Sequence, residues 1–186
     1  MPEDTRIRCF GSPDDTLMMS YHDNEWGIPV HDDRTQFEFL CLESMQSGLS
    51  WKTILDKREN FRKAFHNFDP VKVAAYTDAD VERLMADPGI VRNRRKIEAI
   101  VNNARRFLEV QREFGSFDRY IWQFTGHETL RRDHADPPPQ TPESEALSKD
   151  LRARGFKFMG PVVVYSHMQA TGQVNDHHPT CFRAPV

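Results

Sequence analysis

The stretch of residues 93–111 constrains the fold more than any other part of the sequence. Alternating β-branched runs, which are typical of half-buried strands, are almost absent from the chain. Within this stretch, apolar side chains recur instead at the spacings of three and four that mark one helix face, at Ile97, Ile100, Val101, Ala104 and Leu108. The pattern predicts an all-α protein with an amphipathic, arginine-rich helix over residues 93–111.

Local signals place further helices along the chain. A helix N-terminus is predicted where a capping side chain precedes a helical stretch, as at Asp69, Thr77 and Ser144. Glycine often follows the last helical turn, so Gly155 and Gly172 are expected to end the last two helices.

Charge is distributed unevenly, although the formal net charge is only -3. Residues 89–106 carry six cations against one acid and residues 149–159 carry four against one, whereas residues 1–43 carry ten acids and three bases. A uniformly basic nucleic-acid binder is thereby excluded, and any contact with phosphates must rest on a local patch.

The turn before the basic helix has two interpretations. Under either one, the Ile90 side chain would be a buried plug. In the first, Gly89 and Ile90 would present backbone amides to an anion. The same turn could equally serve only to connect two packed helices. Under the first interpretation, the cations nearest to the turn are candidates for binding DNA, namely Arg92, Arg94, Arg95 and Lys96.

A second pattern joins the two ends of the chain. Cys9 and His22 near the beginning and His177 and Cys181 near the end offer two thiolates and two imidazoles, which suit tetrahedral zinc. His177 and Cys181 would share one helix face, and His178 could replace His177. Four protein ligands leave no position for water, so one zinc ion would be structural. The alternative is a set of unrelated buried thiols and surface histidines.

A third pattern combines aromatic and acidic side chains. Tyr21, Trp26, Glu43 and Trp51 lie in two polar and aromatic blocks near the beginning of the chain. Glu43 could point into a pocket, or it could be an exposed or capping glutamate, and Trp51 could belong to the core.

Cellular location and oligomeric state are predicted from signals that the sequence does not contain. No apolar run is long enough for a membrane span, and the first residues lack the apolar stretch of a signal peptide. We therefore expect a cytoplasmic protein. In the absence of a heptad seam, we expect a monomer.

Ordered blocks of sequence extend from about residue 8 to residue 183. They include YHDNEWG, MQSGLSW, FDPVKVA, DPGIVRNRRKIEAIVNNA, ALSKDLRARGFKFMGP and YSHMQATGQVNDHH. In sequence and spacing these blocks strongly resemble the DNA-3-methyladenine glycosylase I family of helix-hairpin-helix DNA glycosylases. The resemblance implies an all-α fold in which a structural zinc ion joins the N- and C-terminal segments. It also implies one unit over residues 1–186, with the hairpin element at about 78–111 and a zinc-binding subdomain formed from both chain ends.

The resemblance also implies an activity. Such an enzyme flips out 3-methyladenine from alkylated double-stranded DNA and hydrolyses its N-glycosidic bond without cleaving the strand. Glu43 would be the catalytic residue and would bind the base together with Tyr21 and Trp51. The zinc ligands would be Cys9, His22, His177 and Cys181.

Two features depart from the resemblance or leave alternatives open. Gly11 stands where the family usually has tryptophan, which removes an aromatic wall beside the base unless Phe10 supplies one. Many other helix-hairpin-helix glycosylases place a catalytic aspartate some way after the hairpin, a residue that this family does not match. Asp118 is at a plausible distance, but we interpret it as a helix-start residue. The alternatives are a related protein that binds DNA or excises another lesion, and a zinc-dependent hydrolase with an open coordination position.

Overall fold

The computed structural model describes residues 5–131 and 136–184, and helices dominate both ranges. The mostly helical prediction is therefore confirmed. In chain order the helices are α1 (Thr16–Asn24), α2 (Asp33–Gln46), α3 (Trp51–Asp56), α4 (Arg58–Ala64), α5 (Pro70–Ala74), α6 (Asp78–Ala86), α7 (Arg94–Phe114), α8 (Phe117–Trp122), α9 (Pro142–Ala153) and α10 (Pro161–Ala170). Two short 3₁₀ turns follow α4 and α8, at His66–Phe68 and Gln123–Thr125.

The only strands in the described ranges are two residues long. β1 (Leu130–Arg131) pairs in parallel with β2 (Val174–Asn175). This pair joins the segment that follows α10 to the segment that follows α8 by backbone hydrogen bonds. None of the helices within the described ranges is both long and apolar enough to cross a bilayer.

Helix starts follow the local signals closely. The Asp69 side chain accepts hydrogen bonds from the first amides of α5, and Thr77 forms a capping box at the start of α6. The expected cap at Ser144 is wrong by three residues: Thr141 caps α9, and Ser144 returns the reciprocal bond to the Thr141 amide. Pro142 explains the earlier start, because proline is favoured in the first helical turn.

The longest helix confirms the periodic pattern and extends it. α7 begins after the Asn93 cap and ends at Phe114, where Gly115 caps it, so it runs three residues beyond the predicted end. Its last turns bury Phe107 and Val110, whereas Leu108 is only half-buried. In the last turns the buried face is therefore formed by Phe107 and Val110 and not by the predicted Leu108. The face shifts around the helix because one turn is about 3.6 residues and not a whole number.

Helix α2 occupies the centre of the fold. Every residue from 36 to 45 is buried, and the helix packs against α3, α7, α8 and α10. A helix that is buried on all sides must find partners for each polar side chain that it carries. How α2 meets this requirement locates the candidate site.

Candidate active site

Glu43 differs from the other buried polar side chains of α2. Gln36, Glu38 and Ser44 each form a hydrogen bond to another group of the protein. Glu43 is 3% exposed, and no hydrogen bond or ion pair joins it to any of the described residues. Its carboxyl group borders a cavity instead. Because a buried polar group without a partner is costly, Glu43 is placed to interact with a ligand.

The cavity has a volume of about 200 Å³, which suits one small planar ring system. Tyr21 and Trp51 form one side, with ring centroids 5.3 Å apart. The structure thus brings the three predicted substrate-binding residues into one cavity. The lining residues are Phe10, Met18, Tyr21, Trp26, Glu43, Gln46, Trp51, Ser166 and Gln169.

Several lining residues were not predicted from the sequence as binding residues. Gln46 lies one helical turn after Glu43 on α2, a spacing that could have indicated a shared face. Ser166 and Gln169 come from α10, at the far end of the chain, where no local signal pointed toward Glu43. Trp26 belongs to the aromatic block noted in the sequence, and the structure places it in the cavity wall.

Burial controls the charge of the acid in this cavity. Desolvation raises the pKa of Glu43 to about 8, so this carboxyl group is mostly neutral at pH 7. Desolvation, reinforced by Glu43, raises the pKa of Tyr21 well above its usual range and keeps the phenol protonated. A cationic ring in the cavity would favour the carboxylate, since an opposite charge nearby stabilises the ionised form.

The structure explains the glycine at position 11 and supplies the missing wall. Gly11 has a φ of +85°, and a β-carbon there would lie 2.7 Å from the Cα atom of Met19. Tryptophan at this position would therefore require α1 or the preceding loop to move. Phe10 lines the cavity instead, with its ring 5.1 Å from Trp26 and stacked at 6.1 Å on Tyr21.

Asp118 lies outside this cavity. It occupies the first turn of α8, as expected of a helix-start residue. Its carboxylate oxygen Oδ1 lies 2.8 Å from Nδ1 of His31. The aspartate is therefore engaged with an exposed histidine, away from Glu43.

A separate cluster brings the two chain ends together. The potential ligand atoms of Cys9, His22 and Cys181 all lie within 4.8 Å of one another. Nδ1 of His22 lies 2.9 Å from a carboxylate oxygen of Asp23, which leaves Nε2 directed toward the thiols. This carboxylate-histidine arrangement is common behind metal-bound imidazoles. None of the three ligand residues lines the cavity with Glu43.

His177 lies next to this cluster but not within it. Its ring centroid is 5.1 Å from that of His22, and its Nδ1 atom lies 2.9 Å from the Asn175 side-chain oxygen. The Nε2 atom is buried and has no hydrogen-bond partner among the described residues. This free nitrogen fits a fourth metal ligand.

The expected helix face for His177 and Cys181 is wrong. The described residues that follow β2 form turns and irregular structure instead of a helix. Pro179 between the two ligands disfavours a helix there. His178 is turned aside, since its Nδ1 atom lies 2.8 Å from the Thr180 hydroxyl and its backbone amide donates to the Cys9 sulfur. Of the two neighbouring histidines, His177 is therefore the better placed for a metal.

The predicted hairpin falls at the turn between α6 and α7, two helices that pack against each other. Ile90 is 3% exposed and plugs the core, as expected. The amide of Gly89 donates to the Asp87 side chain at 2.7 Å, so this amide is not open to an anion as the sequence suggested. Within the described chain, the amides of Ile90, Val91 and Arg92 have no protein acceptor. These three donors, together with the start of α7, can receive an anion.

The four predicted cations of the hairpin differ in availability. Arg92 and Arg95 are exposed, and no ion pair within the described ranges engages them. Arg94 is paired with Glu82 at 2.6 Å. Lys96 is misassigned as a phosphate ligand: its side chain is buried, and its amine donates to the carbonyl groups of Met45 and Ser47 at the end of α2. A lysine bound in this way secures the hairpin element to the helix that carries Glu43.

The helical fold, the cavity and the hairpin turn together define a class of protein. An aromatic cavity with a buried acid, together with a turn whose amides and two arginines have no protein partner among the described residues, fits a helical protein that binds a single base and a nucleic-acid backbone. The sequence pattern of the methyladenine glycosylase family matches residues 11–184, and the chain belongs to that family.

Individual relatives agree with this assignment. DNA-3-methyladenine glycosylase 1 of Escherichia coli (strain K12) is 50% identical over 177 residues, which cover 94% of this chain and 95% of the relative. A crystal structure of 3-methyladenine DNA glycosylase I superimposes with a TM-score of 0.92 at 48% identity, covering 96% of this chain and 100% of the other. A structure of the Staphylococcus aureus enzyme, described as showing the basis of 3-methyladenine recognition, gives a TM-score of 0.89 at 39% identity and covers 95% and 94%.

Proposed function

We propose that this protein excises 3-methyladenine from alkylated double-stranded DNA by hydrolysing the N-glycosidic bond. The observation that carries the proposal is Glu43, a buried acid that has no protein partner among the described residues and faces an aromatic cavity. The proposal is supported by family membership and by the names of relatives that act on or recognise 3-methyladenine. A base inside a duplex is inaccessible, so the nucleotide must be flipped out to reach this cavity.

The charge of the lesion fits the chemistry of the cavity. Adenine methylated at N3 is cationic while it is attached to the sugar, and its positive charge makes it a good leaving group. Its entry favours ionisation of Glu43, because a nearby positive charge offsets the desolvation that raises the pKa of that carboxyl group. Stacking on Trp51 adds a cation-π contribution of roughly 0.5–2 kcal/mol. Neutral adenine gains neither interaction.

Hydrolysis breaks one bond in the nucleotide and forms one bond to water. The bond between the sugar C1′ atom and the base nitrogen breaks, and its electron pair leaves with the base, which becomes neutral. Water supplies a hydroxyl group to C1′ and releases one proton to the solvent. The nine residues found to line the cavity include no lysine, and the amine of Lys96 is held by two carbonyl groups. This supports a monofunctional enzyme, since strand cleavage through an iminium intermediate needs a free amine.

Contacts with the DNA backbone come from the hairpin element at residues 78–111. The open amides and the exposed side chains of Arg92 and Arg95 fit phosphate oxygens. Arg94 and Gly89 contribute less, because each is already engaged within the protein.

The turn between α2 and α3 is suited to separating the bases. Leu49 is 39% exposed, although the residues on either side of this turn, Gln46 and Trp51, line the cavity. Gly48 has a φ of +82° and open space around it, which permits the tight turn that projects Leu49. An apolar side chain beside the cavity mouth can fill the gap that a flipped nucleotide leaves.

One structural zinc ion completes the proposal. Cys9, His22 and Cys181 would hold it with His177, whose buried Nε2 atom has no partner among the described residues. The bound ion would supply a link between the two chain ends within a single unit over residues 1–186. Four protein ligands, none of which lines the cavity, leave the ion no role in activating water. We place the protein in the cytoplasm, as a monomer.

Release of free bases from methylated duplex DNA tests this function. We expect the purified protein to release 3-methyladenine rapidly and 7-methylguanine slowly, as measured by chromatography. Asp118→Asn, outside the cavity, should retain most of the activity, whereas Glu43→Gln should lose most of it. Folded, zinc-loaded protein that releases no base, or releases mainly another base, would favour the alternative of a related protein with a changed lesion.

A further inference from the structure

A second set of exposed cations lies far along the chain from the hairpin. Lys149 and Arg152 project from α9, and Lys157 lies in the loop before α10. All three are exposed, and no ion pair within the described residues engages any of them. We call these three side chains the α9–α10 basic surface.

Neighbouring charges do not neutralise this surface. Arg154, the fourth cation of the same stretch, is paired with Asp150 and Glu113 and is therefore not counted with it. Glu145 lines the same groove as Lys149 and Arg152, and its carboxylate accepts a hydrogen bond from Gln140, so one acid stands against the three cations. The surface keeps an excess of positive charge, which attracts a polyanion.

The shape of the surface also fits an extended ligand. Lys149 and Arg152 line an open groove of about 420 Å³ that reaches Pro161 at the start of α10. A second groove of about 410 Å³ runs from Arg152 past Lys157. Phe158 in this second groove and Val162 at the start of α10 are 37% and 50% exposed, so apolar side chains accompany the charges. A DNA strand is a matching ligand, because its backbone alternates charged phosphates with less polar sugar faces.

Helix α10 connects this surface to the cavity that holds Glu43. Val162, Ser166 and Gln169 are spaced by four and three residues, so they lie on one face of the helix. Ser166 and Gln169 line the cavity. With a rise of about 1.5 Å per residue, Val162 lies roughly 6–10 Å along the helix from the cavity. That distance corresponds to one or two nucleotides of a DNA strand.

The surface is also held rigidly relative to the hairpin. Asn103 of α7 bonds both the backbone amide and the carbonyl oxygen of Lys157, at 2.8 and 2.9 Å. Asn102 donates to the carbonyl oxygen of Gly155 at 2.9 Å. The helix that begins at the hairpin therefore fixes the position of this second set of cations.

We propose that the α9–α10 basic surface binds the phosphate backbone of the strand that carries the lesion, one or two nucleotides from the flipped base. The inference rests on the proposed function, since it places the damaged nucleotide in the cavity. The hairpin and this surface then hold the strand at two separate points, with the flipped base between them.

The salt dependence of DNA binding tests the proposal. The protein is titrated with a short duplex that contains a stable abasic-site analogue, over a series of salt concentrations. Each of Lys149→Gln, Arg152→Gln and Lys157→Gln should lower the slope of log affinity against log salt by about 0.9 and weaken binding roughly tenfold near 0.1 M salt. Lys72→Gln is the matched control, an exposed cation without an ion pair in the described ranges, on α5. Its slope should equal that of the unaltered protein.

Unchanged slopes in all three variants would overturn the proposal, and so would an equal loss in Lys72→Gln. Single uncharged phosphate analogues, placed one or two nucleotides from the abasic site, should abolish the difference between each variant and the unaltered protein. Release of 3-methyladenine separates this test from that of the proposed function. If the unaltered protein releases the base but the slopes do not change, only the second contact is wrong. If it releases no base, the proposed function fails first.

Discussion

The base cavity and the hairpin surface are both assigned to DNA, but they rely on opposite physics. The cavity contains one acid, which burial keeps mostly neutral at pH 7, among aromatic side chains. The hairpin presents Arg92 and Arg95 to solvent, where their charges are permanent and screened by salt. One interaction can therefore dominate inside the cavity, whereas on the surface the free energy of binding is shared among several weak contacts.

The largest expected effect is that of Glu43→Gln. The substitution preserves shape but removes the carboxylate that a cationic base induces, so single-turnover release of 3-methyladenine should fall by about 10²–10³-fold. Because Glu43 contacts no phosphate, the salt dependence of binding to an abasic-site duplex should not change. A loss that appears in binding and in its salt slope, with the release rate intact, would contradict the separation of the two regions.

The second effect sharpens the comparison through pH. Burial raises the pKa of Glu43 from its ordinary value of 4.5 to about 8, so the folded state binds this proton more tightly than the unfolded chain does. Stability due to this group is present in full below pH 4.5 and is lost as the pH rises toward 8 and beyond. Between about pH 6 and pH 8, the free energy of unfolding should fall by on the order of 2 kcal/mol more in the unaltered protein than in Glu43→Gln. Denaturant titrations at several pH values measure this difference, and parallel curves would show that Glu43 is ionised in the folded protein.

Substitutions in the hairpin should have a smaller effect, on DNA binding and its salt dependence. Arg95→Gln should weaken binding to an abasic-site duplex roughly tenfold near 0.1 M salt and lower the salt slope by about 0.9, with the release rate at saturation preserved. Arg94→Gln is the matched control, because Arg94 is already paired with Glu82. Its slope should change less. Equal slopes for the two variants would mean that the pairing observed in the structure does not persist on DNA.

The smallest effect tests the wall that replaces tryptophan. Phe10→Ala should weaken binding of free 3-methyladenine about two- to tenfold, corresponding to roughly 0.5–1.5 kcal/mol for one aromatic contact. Phe10→Tyr keeps the ring and should bind as the unaltered protein does, as measured by fluorescence titration. If the alanine variant binds normally, Tyr21 and Trp51 enclose the base without help from Phe10.

Local structure was predictable because its causes lie within a few residues. A capping side chain acts on amides two or three positions away, so Asp69 and Thr77 mark their helices correctly. The apolar period of α7 likewise specifies a helix and its buried face. At Ser144 the local signal was shared with Thr141, and the helix began one turn earlier.

The site required the tertiary structure, because burial and partners depend on contacts between distant segments. The sequence placed Glu43 and Lys96 in informative blocks but did not show that one is buried without a partner among the described residues or that the other turns inward to α2. The same holds for His177, which approaches the thiols from a turn and not from a helix face. Sequence alone determined the helices and the chemical groups available, because both follow from local order along the chain. Tertiary packing decided which of those groups meet and how each is charged, because it removes water from some and leaves it around others.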